Sequence, residues 1–325
     1  MTATTDISIG ATIEQTGVTL SETYERGIIA EQVGCDALYM IQMPNQRDTL
    51  TVLGGMAAQT KNVELVSSIL PFFTRPPMIM AQNALTLDEV SGGRLILGVG
   101  LGNPMVGQFM LGTEQGPPLQ VTREYLTITT SLIRDGEASY TGRWYSANGT
   151  YAGPRRASLP VWLGTFGPKM VQLAGELADG LLIWMVPPSY IRDVIVPNLR
   201  IGMERRERAP AEFPITMMLS ISVTDSAFEL ERFRRAIAGY SRVPAYRRLF
   251  EAAGFGADLA AGRPTDRMVE ELTAFGTEER LHERMADYVD AGVTRFAVSP
   301  YLGREFDPER LARNLRAALA FAAKD

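Results

Sequence analysis

Short apolar runs recur along the chain, each followed by a longer stretch whose apolar residues return every three or four positions. The first pattern predicts strands at residues 7–13, 37–41, 63–69, 95–99, 160–164, 180–184, 215–223 and 295–299. The second predicts helices at 20–33, 50–59, 78–90, 121–135, 169–177, 190–207, 281–291 and 308–323. The clearest unit spans residues 63–103. Pro76 and Pro77 open its helix, where backbone N–H groups lack helical partners anyway. Gly92-Gly93 supplies a left-handed stop, and Gly98, Gly100 and Gly102 clear the carboxyl end of the next strand. A strand–helix–strand unit of this length makes a parallel pair. Eight strands, each followed by a helix, predict a single α/β domain over residues 1–325, a (β/α)8 TIM barrel rather than an open sheet.

Two stretches break the alternation. In residues 142–158, Asn148-Gly149 is a favourable hairpin-turn pair. Residues 238–276 carry Tyr240, Tyr246, Phe250 and Phe255 among helix formers, and read as a helical insertion or lid after strand seven.

Composition narrows the chemistry. Hydrophobic residues make up 46% of the chain, enough for a large core, yet no apolar run is long enough to cross a bilayer. Residues 1–6 are polar and unlike a secretion signal, so a cytoplasmic location is expected. A net charge of −5 argues against a nucleic-acid surface. The single cysteine, Cys35, excludes an internal disulfide and reads as an inert buried thiol. The single histidine, His282, lies on an amphipathic helix far from the glycine-rich turns and reads as a structural residue. Ser–His–Asp and Cys–His catalysis are thereby excluded, and no metal site is expected.

In such barrels ligands sit at the carboxyl ends of the strands. Those ends offer Thr12 and Glu14, then Gln42, Met43 and Asn45, then Ser67, Ser68, Leu70, Phe72 and Arg75. Gly100 and Asn103 follow strand four; Gly164, Thr165, Phe166 and Gly167 follow strand five. Trp184 and Met185 follow strand six, and Ser299 and Tyr301 strand eight. The inventory is apolar, aromatic and glycine-rich, and suits a flat cofactor that brings its own chemistry. Residues 164–167 with Pro168 form a glycine turn at a helix start, where free N–H groups suit a phosphate and Thr165 adds a hydroxyl. Met43, Phe72, Phe73, Trp184, Met185 and Tyr301 are expected to line an apolar mouth for a small, partly hydrophobic substrate.

The segments AEQVGCDALYM, LVSSILPFFTRPPMIMAQNALTLDEVSGGRLILGVGLG, REYLTITTSLIRDGEASYTGRWY, LPVWLGTFGPKMVQLAGELADGLL and FGTEERLHERMADYVDAGVTRFAVSP carry a specific likeness. With them the chain resembles the luciferase-like monooxygenase superfamily, which includes FMN-dependent monooxygenases and F420-dependent reductases of the methylenetetrahydromethanopterin reductase type. The resemblance implies a non-prolyl cis peptide at Ser68–Ile69, forming a bulge behind the flavin ring. It implies a cofactor cradle of Ser67, Ser68, Ile69, Gly100, Gly164, Thr165, Phe166 and Gly167, with the phosphate at 164–167. Asn103 matches a position that touches the cofactor, or else caps the following helix. Asp88, Glu89 and Arg94 are expected to be structural, the acid and arginine pairing across the helix stop.

One departure matters. Many members carry an acidic residue and a histidine at the end of strand two, where this chain has Gln42 and Met43. Protons would then come from Glu14, Tyr301 or water, with Gln42 as the remaining polar group. Three functions compete: an oxidoreductase using coenzyme F420, a two-component monooxygenase using FMN, and a non-enzymatic flavin-binding relative. The missing histidine suits the first, since hydride transfer to a deazaflavin needs orientation more than acid–base groups. Members of the superfamily dimerise through helices two and three, which would engage the faces at 56–59 and 78–84.

Overall fold

The computed structural model describes residues 7–114, 116–206, 213–223, 227–300 and 306–323. Its first half contains β1 (Ser8–Thr12), α1 (Leu20–Val33), β2 (Ala37–Met40), α2 (Thr49–Ala57), β3 (Glu64–Ser67), β4 (Leu70–Pro71), α3 (Pro77–Val90), β5 (Leu95–Gly100), α4 (Pro104–Leu111) and α5 (Pro118–Asp135). A hairpin of β6 (Glu137–Thr141) and β7 (Ser146–Thr150) leads to β8 (Val161–Gly164), α6 (Pro168–Leu177), β9 (Gly180–Trp184), α7 (Pro188–Tyr190) and α8 (Val196–Met203). Then come β10 (Ile215–Ser222), α9 (Ala227–Tyr240), α10 (Pro244–Ala252), α11 (Gly256–Ala260), α12 (Asp266–Leu272), β11 (Thr273–Phe275), α13 (Glu278–Asp290), β12 (Arg295–Pro300) and α14 (Pro308–Ala322).

The strands β1, β2, β3, β5, β8, β9, β10 and β12 are the eight that the hydrophobic pattern predicts. They close into a ring in that order, every neighbouring pair parallel, with β10 paired to both β9 and β12. The molecule is a TIM barrel. The short β4 continues onto β5, and β11 adds outside β10.

Alternation along each strand sorts side chains onto two faces. Ile9, Leu38, Leu65, Leu97, Leu163 and Val298 face the helices in the main core. Their neighbours Tyr39, Val66, Ile96, Trp162, Leu182 and Ala297 form a second cluster that fills the barrel. Gly10 makes room for it, because a Cβ there would lie 2.7 Å from the Tyr39 ring. Below that layer Arg295 pairs with Glu64 and lies over the Trp162 ring, 5.2 Å from its centroid. The barrel interior is a packed core.

The hairpin departs from expectation. Its turn falls at residues 142–145, and Asn148 and Gly149 lie within β7. The cause is distant in sequence. The Glu124 carboxylate on α5 accepts hydrogen bonds from the N–H groups of Trp144 (2.7 Å) and Tyr145 (2.8 Å), with Arg143 at 3.2 Å. Three charge-assisted bonds outweigh a local turn preference. Trp144 and Tyr145 thus serve hairpin packing, Tyr145 meeting Tyr125 edge-on at 5.2 Å.

The two residues expected to be inert are so. Cys35 is buried, and burial pushes its thiol up to about 12. His282 is buried between α13 and α14, its Nε2 2.8 Å from the Ala317 carbonyl oxygen.

Candidate functional site

The upper rim is organised around Ile69. The Ser68–Ile69 peptide is cis, as the resemblance implied. On either side of that bond, Ser68 N–H donates to the Met40 carbonyl (2.8 Å) and Gln42 N–H to the Ile69 carbonyl (3.2 Å), tying the bulge to β2. The Ile69 side chain lies across the ends of β5 and β8. A Cβ on Gly100 would sit 2.8 Å from its Cδ1, and one on Gly164 would sit 2.7 Å from its Cγ2. Both glycines are therefore present for space, and Ile69 packs on the barrel-filling cluster as the floor of the mouth.

At these strand ends two hydroxyls, Ser68 Oγ and Thr12 Oγ1, are buried and make no hydrogen bond among the described residues. A buried polar atom without a partner costs on the order of 1–3 kcal/mol. Ser67 differs. Its hydroxyl donates to the Gly98 carbonyl and accepts from the Gly98 N–H, both at 2.9 Å, so it serves as a lock between β3 and β5.

The far side of the floor ends at α6. Gly167 is its N-cap and supplies no side-chain cap, Pro168 occupies the first position, and Val171 N makes the first intrahelical bond. The N–H groups of Lys169 and Met170 precede that bond and point out of the helix start. A Cβ on Gly167 would meet nothing within 4 Å, so the approach is open. Free N–H groups at an open helix start after residues 164–167 have the geometry that suits an anion. Thr165 anchors the turn through its N–H to the Leu182 carbonyl (3.2 Å).

Aromatic rings wall the same side. Phe166 packs on Tyr246 at 4.7 Å, Tyr246 on Tyr240 at 4.8 Å, and Tyr240 on Trp184 at 4.5 Å. The last two tyrosines belong to α9 and α10, so these helices reach the rim next to β8 and β9. Burial raises the Tyr246 hydroxyl well above its ordinary range, so it stays protonated.

The candidate acid–base groups are committed elsewhere. The Glu14 carboxylate accepts from the N–H groups of Gln15 (3.0 Å) and Thr16 (2.8 Å), closing its own loop. The Gln42 amide accepts from Thr49 N–H (2.8 Å) and donates to the Met43 carbonyl (3.1 Å), fastening the start of α2. Asn103 caps α4 through Met105 N–H (3.0 Å), leaving its amide N–H2 for other partners. Tyr301 lies outside the described residues.

Three further expectations are corrected. Asp88 and Arg94 do not pair. Asp88 takes Arg156 in a two-point contact (2.9 and 2.6 Å), while Arg94 donates to carbonyl oxygens of Ala57, Thr60, Val63 and Ser91. Both are structural, by separate routes. Phe72 does not line the mouth, because it is buried and stacks on Tyr125 at 4.2 Å. Met185 is also fully buried: its φ of 54° turns the chain after β9 and sends the side chain into the outer core. Thr12, already offered by its place at the end of strand one, is a polar residue at an inward strand position whose hydroxyl has no partner among the described residues.

A closed barrel thus carries at its upper rim the Ile69 side chain, an uncapped helix start and two unpartnered hydroxyls. The sequence profile of the luciferase-like monooxygenase family matches residues 4–295. The chain belongs to that family, a family of oxidoreductases. It is similar to the 5,10-methylenetetrahydromethanopterin reductase of Methanolobus tindarius, 26% identical over 85% of this chain and 89% of that protein. In fold it is similar to an F420-dependent secondary alcohol dehydrogenase solved in complex with an F420-acetone adduct. The TM-score is 0.82 at 20% identity, covering 98% of this chain and all of that one. It is also similar to the FMN-complexed oxygenating constituent of 3,6-diketocamphane monooxygenase from Pseudomonas putida. That TM-score is 0.71 at 17% identity, covering 98% of this chain and 99% of that one.

Proposed function

We propose that the protein is a coenzyme F420-dependent oxidoreductase that moves hydride between the deazaflavin and a small, partly hydrophobic organic substrate. One observation carries the choice: among the described rim residues Oε1 of Glu14 and both ends of the Gln42 amide are taken up by loop and helix-start contacts, while Ile69 and the uncapped start of α6 remain open to a ligand. Such a rim orients and shields better than it moves protons. Relatives and neighbours whose names print F420 dependence support the same reading.

When bound, the deazaflavin would supply the carbon centre that gives or takes hydride. Ile69 would support the ring from below. The N–H groups of Lys169 and Met170, with the Thr165 hydroxyl, would hold the phosphate. Ser68 and Thr12 would offer hydroxyls to the ring edge or the substrate, removing the cost of leaving them unpaired. Trp184, Tyr240, Tyr246 and Phe166 would exclude water on the insertion side, with the helices of residues 238–276 acting as the lid.

A homodimer is part of the proposal. Of the predicted faces, Met56, Met80, Ala81 and Ala84 are buried in the chain's own core, and Ile79 is the apolar side chain left exposed, at 44%. Among the described residues no helix is long and apolar enough to cross a membrane.

The test is titration with oxidised F420 and, separately, FMN while following tryptophan fluorescence, which Trp184 at the rim makes sensitive. Saturable quenching by F420 with weak or no response to FMN is expected. Tight FMN binding without F420 binding would make the protein an FMN-dependent monooxygenase, and binding of neither would leave the non-enzymatic reading.

A further inference from the structure

α9 leads from β10 into the insertion, and one ionisable carboxyl lies on its buried face. Along that face run Glu229, Phe233 and Ile237, all buried, and then Tyr240, whose ring meets Trp184 at 4.5 Å. Glu229 sits in the first turn, and its Oε2 accepts from the Ser222 hydroxyl at the carboxyl end of β10 (2.8 Å). Its Oε1 is buried without a partner, and the carboxyl forms no ion pair among the described residues. The residue is 1% exposed, so a charge there leaves water with one hydroxyl in exchange. Arg310 from α14 and Arg232 from α9 itself act on it, while β10 and β11, which pair beside Ser222, bring no charged side chain. Burial raises the Glu229 carboxyl above its ordinary value, outweighing the Ser222 hydroxyl, both arginines and the helix start, all of which favour the charge. Neighbouring charges on α9 turn elsewhere. Glu231 pairs with Arg263 (2.6 Å) and Arg234 with Asp266, fastening α9 to the rest of the insertion rather than to the barrel.

We propose that Glu229 is a proton-controlled latch, seating the start of α9 on β10 and so keeping Tyr240 against Trp184 at the rim. With the proton on, the carboxyl is neutral and its burial leaves only one open valence. With the proton off, a charge lies under the foot of α9 with a single donor, and lifting the first turn into water relieves it. The same helix carries Tyr240 at its other end, so a lifted α9 draws that ring off Trp184 and opens the insertion side of the rim. Closure is favoured at low pH. It weakens as pH rises from the ordinary carboxyl value, about 4.3, through the raised one. Glu229 is thus a positioning residue that acts through Tyr240, whichever flavin the site holds.

Hydrogen exchange tests the latch without any cofactor. Exchange of residues 227–240 is followed by mass spectrometry at about pH 4.5 and about pH 8, with α6 in the same digest as reference for the chemical rate. Protection of 227–240 relative to α6 is expected to fall at least about threefold from the lower to the higher pH. Glu229→Gln keeps an acceptor for Ser222 and cannot ionise, so its protection should stay at the low-pH level throughout. Ser222→Ala removes the donor, and protection at the higher pH should drop below that of the unmodified chain. Glu231→Gln, on the same helix but paired with Arg263, should keep the full pH response. Trp184 emission should change with pH in step with exchange in the unmodified chain and not in Glu229→Gln. A pH-independent α9 in the unmodified chain, or a response that survives Glu229→Gln, would overturn the latch. So would a Glu229→Gln helix left unprotected at both pH values, since the carboxyl would then serve packing alone.

Discussion

Two glycine-bearing regions of this molecule serve opposite ends. At the turn after α3, Gly92 and Gly93 take φ of 70° and 83°, a conformation in which side chains are strained. At the rim, Gly100 and Gly164 are not among the positive-φ positions and are glycine because Ile69 occupies the space a Cβ would need. The polar groups differ in the same sense. Around the turn they are saturated, with Asp88 holding Arg156 and the Leu95 N–H while Arg94 satisfies four carbonyl oxygens. At the rim Ser68 and Thr12 carry hydroxyls with no partner. The turn is thus a saturated clamp, while the strand ends at the rim keep two open hydroxyls. The most recognisable motif of the sequence therefore belongs to the scaffold, and the site lies beside it.

Substitutions can break that contrast. Asp88→Ala should cost most, about 3 kcal/mol, because it removes a buried carboxylate, leaves the Leu95 N–H without its acceptor and leaves Arg156 only the Leu95 carbonyl. Urea denaturation measures it, and a loss below about 1 kcal/mol would deny the clamp its role. Gly164→Val should displace Ile69. Its stability cost is expected at about 1–3 kcal/mol for overpacking, with cofactor affinity falling at least about tenfold. Unchanged affinity would move the floor away from Ile69.

Ser68→Ala should do the reverse of Asp88→Ala. Stability should hold or rise, by up to about 1–3 kcal/mol, since an unpaired buried hydroxyl is removed and no bond is lost, while cofactor or substrate binding weakens about threefold to tenfold. A stability loss as large as that of Asp88→Ala would erase the distinction between the regions.

A pH effect sharpens the comparison from the scaffold side. Burial pulls the Glu124 carboxyl upward, but the N–H groups of Tyr145, Trp144 and Arg143 outweigh it and hold it below the ordinary carboxylate range. Its contribution is present above the unfolded-state value, near about 4.3, and is lost as pH falls through the lower folded value. Glu124→Gln should therefore flatten part of the stability decline between about pH 5 and pH 3. An identical acid profile would show the hairpin clamp to be independent of charge.

Much of this architecture is legible in the chain. Strand positions are, because each buries one apolar face against helices and the period-two signal survives. The start of α6 after residues 164–167 is, because glycine and proline mark it locally. What escapes is what distant residues decide. Glu124 reaches across to relocate the hairpin turn from Asn148-Gly149. Arg156 claims Asp88 from 68 positions away, leaving Arg94 to the carbonyl oxygens. Met185 reads as rim and lies in the core because one left-handed backbone angle redirects it. Glu14 and Gln42 stand at strand ends as catalytic groups do, but only coordinates reveal their oxygens already occupied by backbone N–H groups.

The most direct measurement is a crystal structure of the protein grown with oxidised F420. Density for the deazaflavin ring lying on Ile69, with its phosphate at the N–H groups of Lys169 and Met170, is the expected result. A ring bound elsewhere, or an undisplaced solvent network over Ile69 at saturating F420, would contradict the account.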